Sequence, residues 1–247
     1  MDVRFELKEV SKTYRQRSRW SGKTAIAALD RVNLTLYDRQ VNALVGPSGG
    51  GKSTLARILM GFERCDSGQI IYQRASILQT PGREFRRQNQ LVSQNPLLSV
   101  NPCFKVEKIM AEPLLIRKRG QGEIKEKISQ LLNILDLPPS LLHRYPHEIS
   151  AGQLQRVVLA RGLILEPEFL ILDEPFSCLD QITANRLMKH LQVLLAGLTI
   201  GVLFISHHLA QVKTLAQHVA LIKNGRISFQ GSCDVFFRHI MKEKSQV

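Results

Sequence analysis

The sequence has no apolar run long enough to cross a membrane as a helix. Its longest nearly uncharged stretch, residues 193–205, is far shorter than the roughly 18 to 20 apolar residues that a spanning helix needs. Gly197 and Gly201 interrupt it, so we predict a helix end, a turn and a buried strand there. Residues 1–10 contain acidic side chains and no apolar core, which is not the pattern of a secretory signal.

Cysteine is scarce, and none of the four cysteines belongs to a Cys-x-x-Cys pair. Isolated cysteines favour a reducing, cytoplasmic setting, in which they are small buried side chains or inert surface thiols. The sequence alone leaves disulfides and a metal site open. The four are Cys65, Cys103, Cys178 and Cys233.

Acidic residues are outnumbered, 21 against 34 Lys and Arg, which gives a net charge of +13. Such an excess suits polyanions or an anionic membrane surface. Aromatic residues, however, do not alternate with the basic clusters, as a platform for single-stranded nucleic acid requires. We therefore expect solvated loop charges and no nucleic-acid partner. The clusters are Arg15, Arg17, Arg19 and Lys23; Arg83, Arg86 and Arg87; and Arg117, Lys118 and Arg119.

The composition is otherwise that of a globular protein, 44% hydrophobic over 247 residues, which suffices for one large domain with a sizeable core. Residues 40–59 read as strand, glycine-rich loop and helix, the opening of a parallel α/β sheet. Apolar runs at 169–172 and 201–205 predict strands covered on both faces, with a helix at about 183–195 between them. A turn at Asn224-Gly225 predicts a closing hairpin.

Two further regions differ from this core. Strand patterns at 3–10 and 32–36 enclose a basic insertion at 15–23 and predict an edge hairpin or two-strand layer. Residues 95–165 hold no strong strand, and their apolar side chains follow helical spacing, so we predict a helical insertion. The predicted helix face consists of Ile124, Ile128, Leu131, Leu132 and Leu135.

Residues 46–54 carry the phosphate-loop pattern G-x-x-x-x-G-K-[ST] between a predicted strand and a predicted helix. Glycines let consecutive backbone N–H groups wrap phosphates at a helix N-terminus, Lys52 reaches the β- and γ-phosphates, and the Ser53 hydroxyl is placed to ligate Mg²⁺. A merely structural turn would seldom match the pattern in this context. The predicted nucleotide-binding residues are Gly46, Pro47, Ser48, Gly49, Gly50, Gly51, Lys52, Ser53 and Thr54.

The apolar strand predicted at 169–172 ends in two carboxylates, Asp173 and Glu174. Strand ends of a parallel sheet meet at one edge, where ligands bind. We predict that Asp173 holds Mg²⁺ and that Glu174 is the general base that deprotonates the attacking water. Two acids alone would indicate a solvated loop or a helix cap, but with the phosphate loop they predict nucleotide hydrolysis.

From residue 5 to residue 231 the chain resembles the ATPases of ABC transporters in further elements, which fall in the family's order and spacing. Tyr14 matches the aromatic residue that stacks on adenine. Gln94 matches the glutamine that senses Mg²⁺ and the membrane domain, and His207 matches the switch histidine that contacts the γ-phosphate. Each would be an ordinary packed or solvated side chain by itself, so the shared order carries the resemblance.

Two motifs complete the resemblance. Residues 149–153, Ile-Ser-Ala-Gly-Gln, match the signature motif, and residues 177–180 match the loop that crosses the dimer interface. The resemblance implies that nucleotide contacts come from Ser150, Gly152, Gln153 and Asp180. Because the phosphate loop and the signature act from different chains in the family, it also implies two ATP sites formed between two subunits.

The resemblance implies an α/β fold: a RecA-like P-loop NTPase core with a parallel sheet, an N-terminal antiparallel β layer and an inserted α-helical subdomain. Residues 1–247 would form one nucleotide-binding domain, with its core at 1–94 and 166–247 and the helical insertion at about 95–165. ATP and Mg²⁺ are the implied cofactors. The implied Mg²⁺ ligands are Ser53, Gln94 and Asp173, and the implied catalytic residues are Glu174, His207, Lys52 and Gln94.

The chain departs from the family at two positions. Ala151 stands in the signature where glycine is usual, and we expect slower turnover at the site that uses it. His208 follows the switch histidine where aspartate is usual, and we expect little effect.

Within the family, residues 93–102 and the lead-in at 146–148 resemble the peptide and nickel importer ATPases. The end of the chain soon after Phe237 resembles the second ATPase of nickel or metallophore importers. The implied partners are two integral membrane permease subunits, a homologous ATPase subunit and, indirectly, an extracytoplasmic solute-binding protein. A heterodimer is favoured over a homodimer, and the chain would lie peripherally on the cytoplasmic side of the cell membrane.

Two other classes compete with this interpretation. A soluble ABC ATPase acting on nucleic acid or ribosomes is supported by the basic charge alone, and the second cassette, coiled coil or zinc module usual in such proteins is not seen in the sequence. A P-loop kinase would make the signature and the switch histidine coincidences. The transported molecule, whether nickel, another metal chelate or a peptide, follows from family analogy only.

Overall fold

The structure, a computed structural model, describes residues 2–18, 22–77, 82–197 and 200–244. It divides into two compact units, residues 1–85 with 201–247 and residues 86–200. Among the described residues, no helix is both long enough and apolar enough to cross a membrane.

The chain contains ten strands and eight α-helices within its described residues. The strands are β1 (Val3–Ser18), β2 (Gly22–Tyr37), β3 (Val41–Val45), β4 (Ser67–Tyr72), β5 (Ala75–Ser76), β6 (Asn89–Val92), β7 (Phe169–Asp173), β8 (Gly201–Ile205), β9 (His218–Lys223) and β10 (Arg226–Ser232). The helices are α1 (Lys52–Leu59), α2 (Gly82–Gln88), α3 (Val106–Ile116), α4 (Gln121–Ile134), α5 (Ala151–Leu163), α6 (Gln181–Gly197), α7 (Leu209–Leu215) and α8 (Cys233–Lys244). Short 3-10 helices lie at Pro96–Ser99, Pro139–His143 and Pro146–Glu148.

The first unit contains the predicted antiparallel layer, with strand order β2, β1, β4, β5. Alternate residues of β1 are buried, including Phe5 and Leu7, because a half-covered strand turns every second side chain inward. The strands are longer than predicted. Residues 13–18 pair with 22–27, so the basic insertion at 15–23 extends the hairpin instead of interrupting it. Its tip, residues 19–21, lies outside the described residues.

The first unit also holds two of the parallel strands that the sequence predicted, β3 and β8. Strand β3 pairs in parallel with β8 on one side and with β9 on the other, and β10 closes the predicted hairpin with β9. Every residue of β3 and β8 is buried, as strands covered on both faces require.

The second unit contains β6 paired in parallel with β7, and the helices α3 to α6. Residues 95–165, all of them described, form helices and no strand. The predicted face of α4 is buried and confirms the helical spacing; its residues are Ile124, Ile128, Leu131 and Leu132, with Leu135 as the C-cap. The proposed subdomain boundaries at 95 and 165 stay a prediction.

Candidate functional site

The predicted phosphate loop lies in the first unit, between β3 and α1. Gly51 has a φ of 101°, a left-handed conformation that side chains rarely adopt. A Cβ atom there would overlap the carbonyl oxygen of Ala28 on β2, so only glycine lets the loop pack this closely on the antiparallel layer. Gly51 is also the N-cap of α1, and no side chain caps this helix N-terminus.

Lys52 begins α1 and is 5% exposed. Its Nζ atom donates hydrogen bonds to the carbonyl oxygens of Gly46 and Pro47, both at 2.9 Å. A buried ammonium group beside an uncapped helix N-terminus is a site for an anion, since both attract phosphate oxygens. The loop therefore fits the triphosphate that the sequence predicts, and Ser53 follows it in the first turn of the helix.

Tyr14, predicted to stack on adenine, lies on β1 directly opposite Ile26 of β2. The Tyr14 ring is half-buried, and Ile26 is 53% exposed. The Tyr14 hydroxyl donates a 2.6 Å hydrogen bond to Glu63 Oε2. Glu63 carries no motif in the sequence, so pattern reasoning missed it.

His207, the predicted switch histidine, follows β8 in the first unit. Its ring packs against that of His208 with centroids 4.0 Å apart. His208 takes the N-cap position of α7 but forms no side-chain capping bond. Instead its backbone N–H donates to the buried Ser206 hydroxyl at 3.0 Å, so Ser206 supports the turn where the family's aspartate is absent.

In the second unit, Asp173 ends β7 and is 6% exposed. Glu174 comes next with a φ of 48°, in the left-handed region that is rare for non-glycine residues and concentrated at functional sites. Gln94 Nε2 donates to Glu174 Oε2 at 3.1 Å. The structure thus brings the predicted sensing glutamine to the predicted general base across a separation of 80 residues.

The signature residues form the start of α5. The Ser150 hydroxyl accepts from the Gln153 backbone N–H at 3.1 Å, and Gln153 Oε1 accepts from the Ser150 N–H at 3.0 Å, which is a capping box. The remaining donors at this helix N-terminus are the N–H groups of Ala151 and Gly152 and the Ser150 hydroxyl proton. Ala151 is exposed, and a Cβ atom at Gly152 would come within 2.8 Å of Leu179 Cδ2.

Asp180 is exposed and accepts two hydrogen bonds from Thr183, from its backbone N–H at 2.9 Å and from its hydroxyl at 2.6 Å. These bonds lower the pKa of the Asp180 carboxyl group, the hydroxyl contributing most. Both carboxylate oxygens therefore stabilise the first turn of α6, and the predicted nucleotide contact of Asp180 stays a prediction.

Arg156 is a second residue that pattern reasoning left without a role. Its Nη1 atom donates to the carbonyl oxygens of Asp136 at 2.6 Å and Leu135 at 3.2 Å. These bonds tie the signature helix to the end of α4. The sequence shows that Arg156 lies three residues after the signature glutamine. It does not show which carbonyl oxygens so long a side chain will reach.

A cavity of about 760 Å³ lies in the second unit. Its lining comes from the segment after β6, from the start of α5 and from Ser177 and Cys178. Gln94, Leu97, His147, Ala151 and Leu154 all contribute to its wall.

The fold and the phosphate-loop geometry define a P-loop nucleoside triphosphatase. A family model described as "ABC transporter" matches residues 29–177, more than half of the chain. The chain belongs to the ABC transporter family, and it is an ATPase of the ATP-binding-cassette type.

Known relatives agree with this membership. The chain is 33% identical over 244 residues to the oligopeptide transport ATP-binding protein OppF of Salmonella typhimurium. The aligned region covers 97% of this chain and 72% of OppF. The solved structure of a dimeric ATP-binding cassette in a post-hydrolysis state, bound to ADP and Pi, superposes with a TM-score of 0.81 at 24% identity. The superposition covers 93% of this chain and 98% of the solved chain, and it supports the fold. The structure of cbiO1 from Clostridium perfringens, part of the ABC transporter complex cbiONQ, superposes with a TM-score of 0.80 at 26% identity. This superposition covers 96% of this chain and 92% of the cbiO1 chain.

Proposed function

We propose that the chain is the ATP-hydrolysing subunit of an importer and lies peripherally on the cytoplasmic side of the cell membrane. It works with two membrane permease subunits, a homologous ATPase subunit and an extracytoplasmic solute-binding protein. The observation that carries the proposal is the hydrogen bond between Gln94 and Glu174, because Gln94 also lines the cavity of the second unit. A partner bound in that cavity would act directly on the residue that holds the general base.

In the proposed reaction, loop N–H groups and Lys52 bind the phosphates. Glu174 takes a proton from the water that attacks the γ-phosphorus, and the bond to the bridging oxygen breaks as ADP leaves. Gln94 orients the Glu174 carboxylate by its hydrogen bond, and His207 contacts the γ-phosphate. Mg²⁺ supplies positive charge at the phosphate oxygens when bound, and oxygen donors such as those of Ser53, Gln94 and Asp173 are the ligands it prefers.

The second-unit cavity suits a short amphipathic helix from a permease subunit. Its wall contains the half-exposed Leu97, and the neighbouring Leu98 is 85% exposed. Exposed apolar side chains that lie next to one another are typical of surfaces that bind a protein partner. Lys105 and Lys108 lie close by in the sequence, and their exposed ammonium groups would pair with acidic groups on the same partner.

The signature motif supports a second, homologous ATPase subunit. The donors left by the capping box, at Ser150, Ala151 and Gly152, face outward from a helix N-terminus and suit the γ-phosphate of a nucleotide held by another cassette. ATP would then join the two subunits, and hydrolysis would release them. A partner with a Gly-Gly signature would make the two sites unequal, since only one would use Ala151.

Peptide is the favoured transported substrate, because OppF, which matches 97% of this chain, is an oligopeptide transport protein. Nickel or another metal chelate is the second candidate, because residues 93–102 resemble the ATPases of nickel importers as well as those of peptide importers.

A tagged chain purified from membranes in mild detergent tests the proposal. We expect two integral membrane proteins to copurify in stable proportion with it. Leu97→Asp should abolish this copurification, whereas Val193→Asp, a matched change at a 74% exposed residue outside the cavity, should not. Recovery with ribosomes or nucleic acid in place of membrane proteins would support the soluble alternative instead.

A further inference from the structure

A cluster of charged side chains surrounds the Tyr14 hydroxyl in the first unit. The 2.6 Å bond from this hydroxyl to Glu63 Oε2 has the short length of a charge-assisted O–H···O⁻ hydrogen bond. The Glu63 side chain is only 20% exposed, so water competes little for the contact. The ring of Tyr14 is thereby held at its far end by a carboxylate.

Arg57 connects this pair to the phosphate-loop helix. It lies in the last turn of α1, and its Nε atom is 3.4 Å from Glu63 Oε2. Its Nη2 atom is 3.5 Å from both the Tyr14 hydroxyl and Thr54 Oγ1. The hydrogen bond to Tyr14 is the largest cause of the raised pKa of Arg57. Tyr14 is therefore linked to the helix whose N-terminus begins at the phosphate loop.

Lys12 and Asp66 fix the other end of the Glu63 segment to β1. The Lys12 Nζ atom donates to the carbonyl oxygen of Arg64 at 2.8 Å and to Asp66 Oδ1 at 3.1 Å, and it lies 3.9 Å from Glu63 Oε1. The Thr13 N–H donates to Asp66 Oδ2 at 2.7 Å. These contacts, on the residues directly before Tyr14, allow Glu63 little freedom to move away.

We propose that Glu63 is a positioning residue for nucleotide binding. It holds the Tyr14 ring at a fixed place relative to the phosphate loop, so that adenine and phosphates are bound at the correct separation. Glu63 acts through the Tyr14 hydroxyl and does not itself touch the nucleotide. This inference rests on the proposed role of Tyr14 in stacking on adenine.

The test is a double-mutant cycle on the purified chain with Glu63→Ala, Tyr14→Phe and the two combined. The dissociation constants of ATP and of inorganic tripolyphosphate, which lacks adenine, are measured by calorimetry. Each single change should weaken ATP binding roughly three- to tenfold. The combined change should weaken it no further, because both substitutions remove the same hydrogen bond, the one between the Tyr14 hydroxyl and Glu63. Tripolyphosphate binding should stay within twofold of the parent. Glu63→Gln, whose amide oxygen still accepts from the hydroxyl, should restore much of the ATP affinity.

Two results would overturn the inference. Equal weakening of ATP and tripolyphosphate would mean that Glu63 supports the phosphate loop generally. Full additivity of the two changes would mean that Glu63 does not act through the hydroxyl. If Glu63→Ala does not fold, Tyr14→Phe breaks the same bond from the other side, and an unchanged ATP affinity in that variant would also overturn it.

Tyr14→Ala separates failure of this inference from failure of the proposed stacking of Tyr14 on adenine. If it leaves ATP binding unchanged, the stacking role of Tyr14 is wrong and the inference falls with it. If it weakens ATP binding while Glu63→Ala does not, the stacking role stands and the inference alone fails.

Discussion

Glu174 combines a left-handed backbone conformation with a hydrogen bond from Gln94. The sequence predicted both residues as parts of the site, because two acids after an apolar strand and a glutamine loop each match a pattern. Neither the backbone conformation nor the contact could be read from the sequence, since both depend on how the segments after β6 and β7 fold together. Arg156 and Glu63 were given no role, because their contacts are with segments distant in the sequence.

We predict that Glu174→Gln lowers the rate of ATP hydrolysis by about 10²- to 10⁴-fold, the usual contribution of a general base. The amide keeps the size of the side chain but cannot accept the proton of water, so ATP binding should change little. Phosphate release and ATP affinity are the measurements. As a control, Glu168→Gln makes the same change at a partly exposed carboxylate and should hydrolyse ATP at the parental rate. If Glu174→Gln also hydrolysed ATP at the parental rate, another group would be the base.

Among the elements, strong periodicity predicted the structure best. The buried strands β7 and β8, the face of α4 and the hairpin of β9 and β10 are all confirmed, because uninterrupted apolar runs and helical spacing leave few alternatives. Strands β4 and β6 were not predicted. Strand β4 begins with exposed polar residues and β6 is only four residues long, so their pairing partners, and not their own patterns, define them.

Strand β9 contributes a pH dependence through its first residue. His218 lies against the Tyr37 ring, with centroids 4.5 Å apart, and burial lowers its pKa. The folded chain therefore binds a proton there less readily than the unfolded chain. Its stabilising contribution is complete above about pH 6.5, the ordinary value, and is lost as the pH falls through that value towards the lowered pKa.

We therefore predict that His218→Gln reduces the loss of unfolding free energy between pH 7.5 and pH 5.5. Denaturant unfolding at the two pH values measures it. His143→Gln, at an exposed histidine, serves as the control and should leave the loss unchanged. An identical loss in the parent and in His218→Gln would contradict the assignment.

The start of α3 presents two lysines to solvent next to aromatic rings. Lys108 Nζ lies 3.6 Å from the centroid of the Phe104 ring, and Lys105 Nζ lies 5.7 Å from that of Tyr145. These contacts hold the ammonium groups in place without neutralising them. Both are thus available to an acidic partner.

Combined Lys105→Glu and Lys108→Glu changes should lower transport severalfold more than basal ATP hydrolysis, because they reverse the charge offered to the permease and leave the phosphate loop intact. Uptake into vesicles and phosphate release are measured on the same preparation. Lys125→Glu, at an exposed lysine of α4, should affect neither. Equal loss of transport and hydrolysis would argue against a coupling role.

For the whole molecule, the order of motifs over residues 5–231 predicted the family, and the match of the family model to residues 29–177 confirms it. A cassette sequence can predict its class this well because the nucleotide and its contacts are common to the family. In the proposed importer the transported molecule contacts other subunits, so the residues of this chain hold no direct record of it. The second ATPase subunit is predicted from the family resemblance and from the donors at the start of the signature helix.

Light scattering on the Glu174→Gln chain, alone and mixed with a homologous ATPase subunit, shows whether nucleotide changes the mass of the particle in solution. We predict a mass of two cassettes with ATP and of one cassette with ADP or without nucleotide, because the γ-phosphate would join the signature of one subunit to the phosphate loop of the other. Adding Lys52→Ala should remove the ATP effect. A mass that is the same with ATP, with ADP and without nucleotide would contradict the claim that ATP assembles the working sites between two subunits.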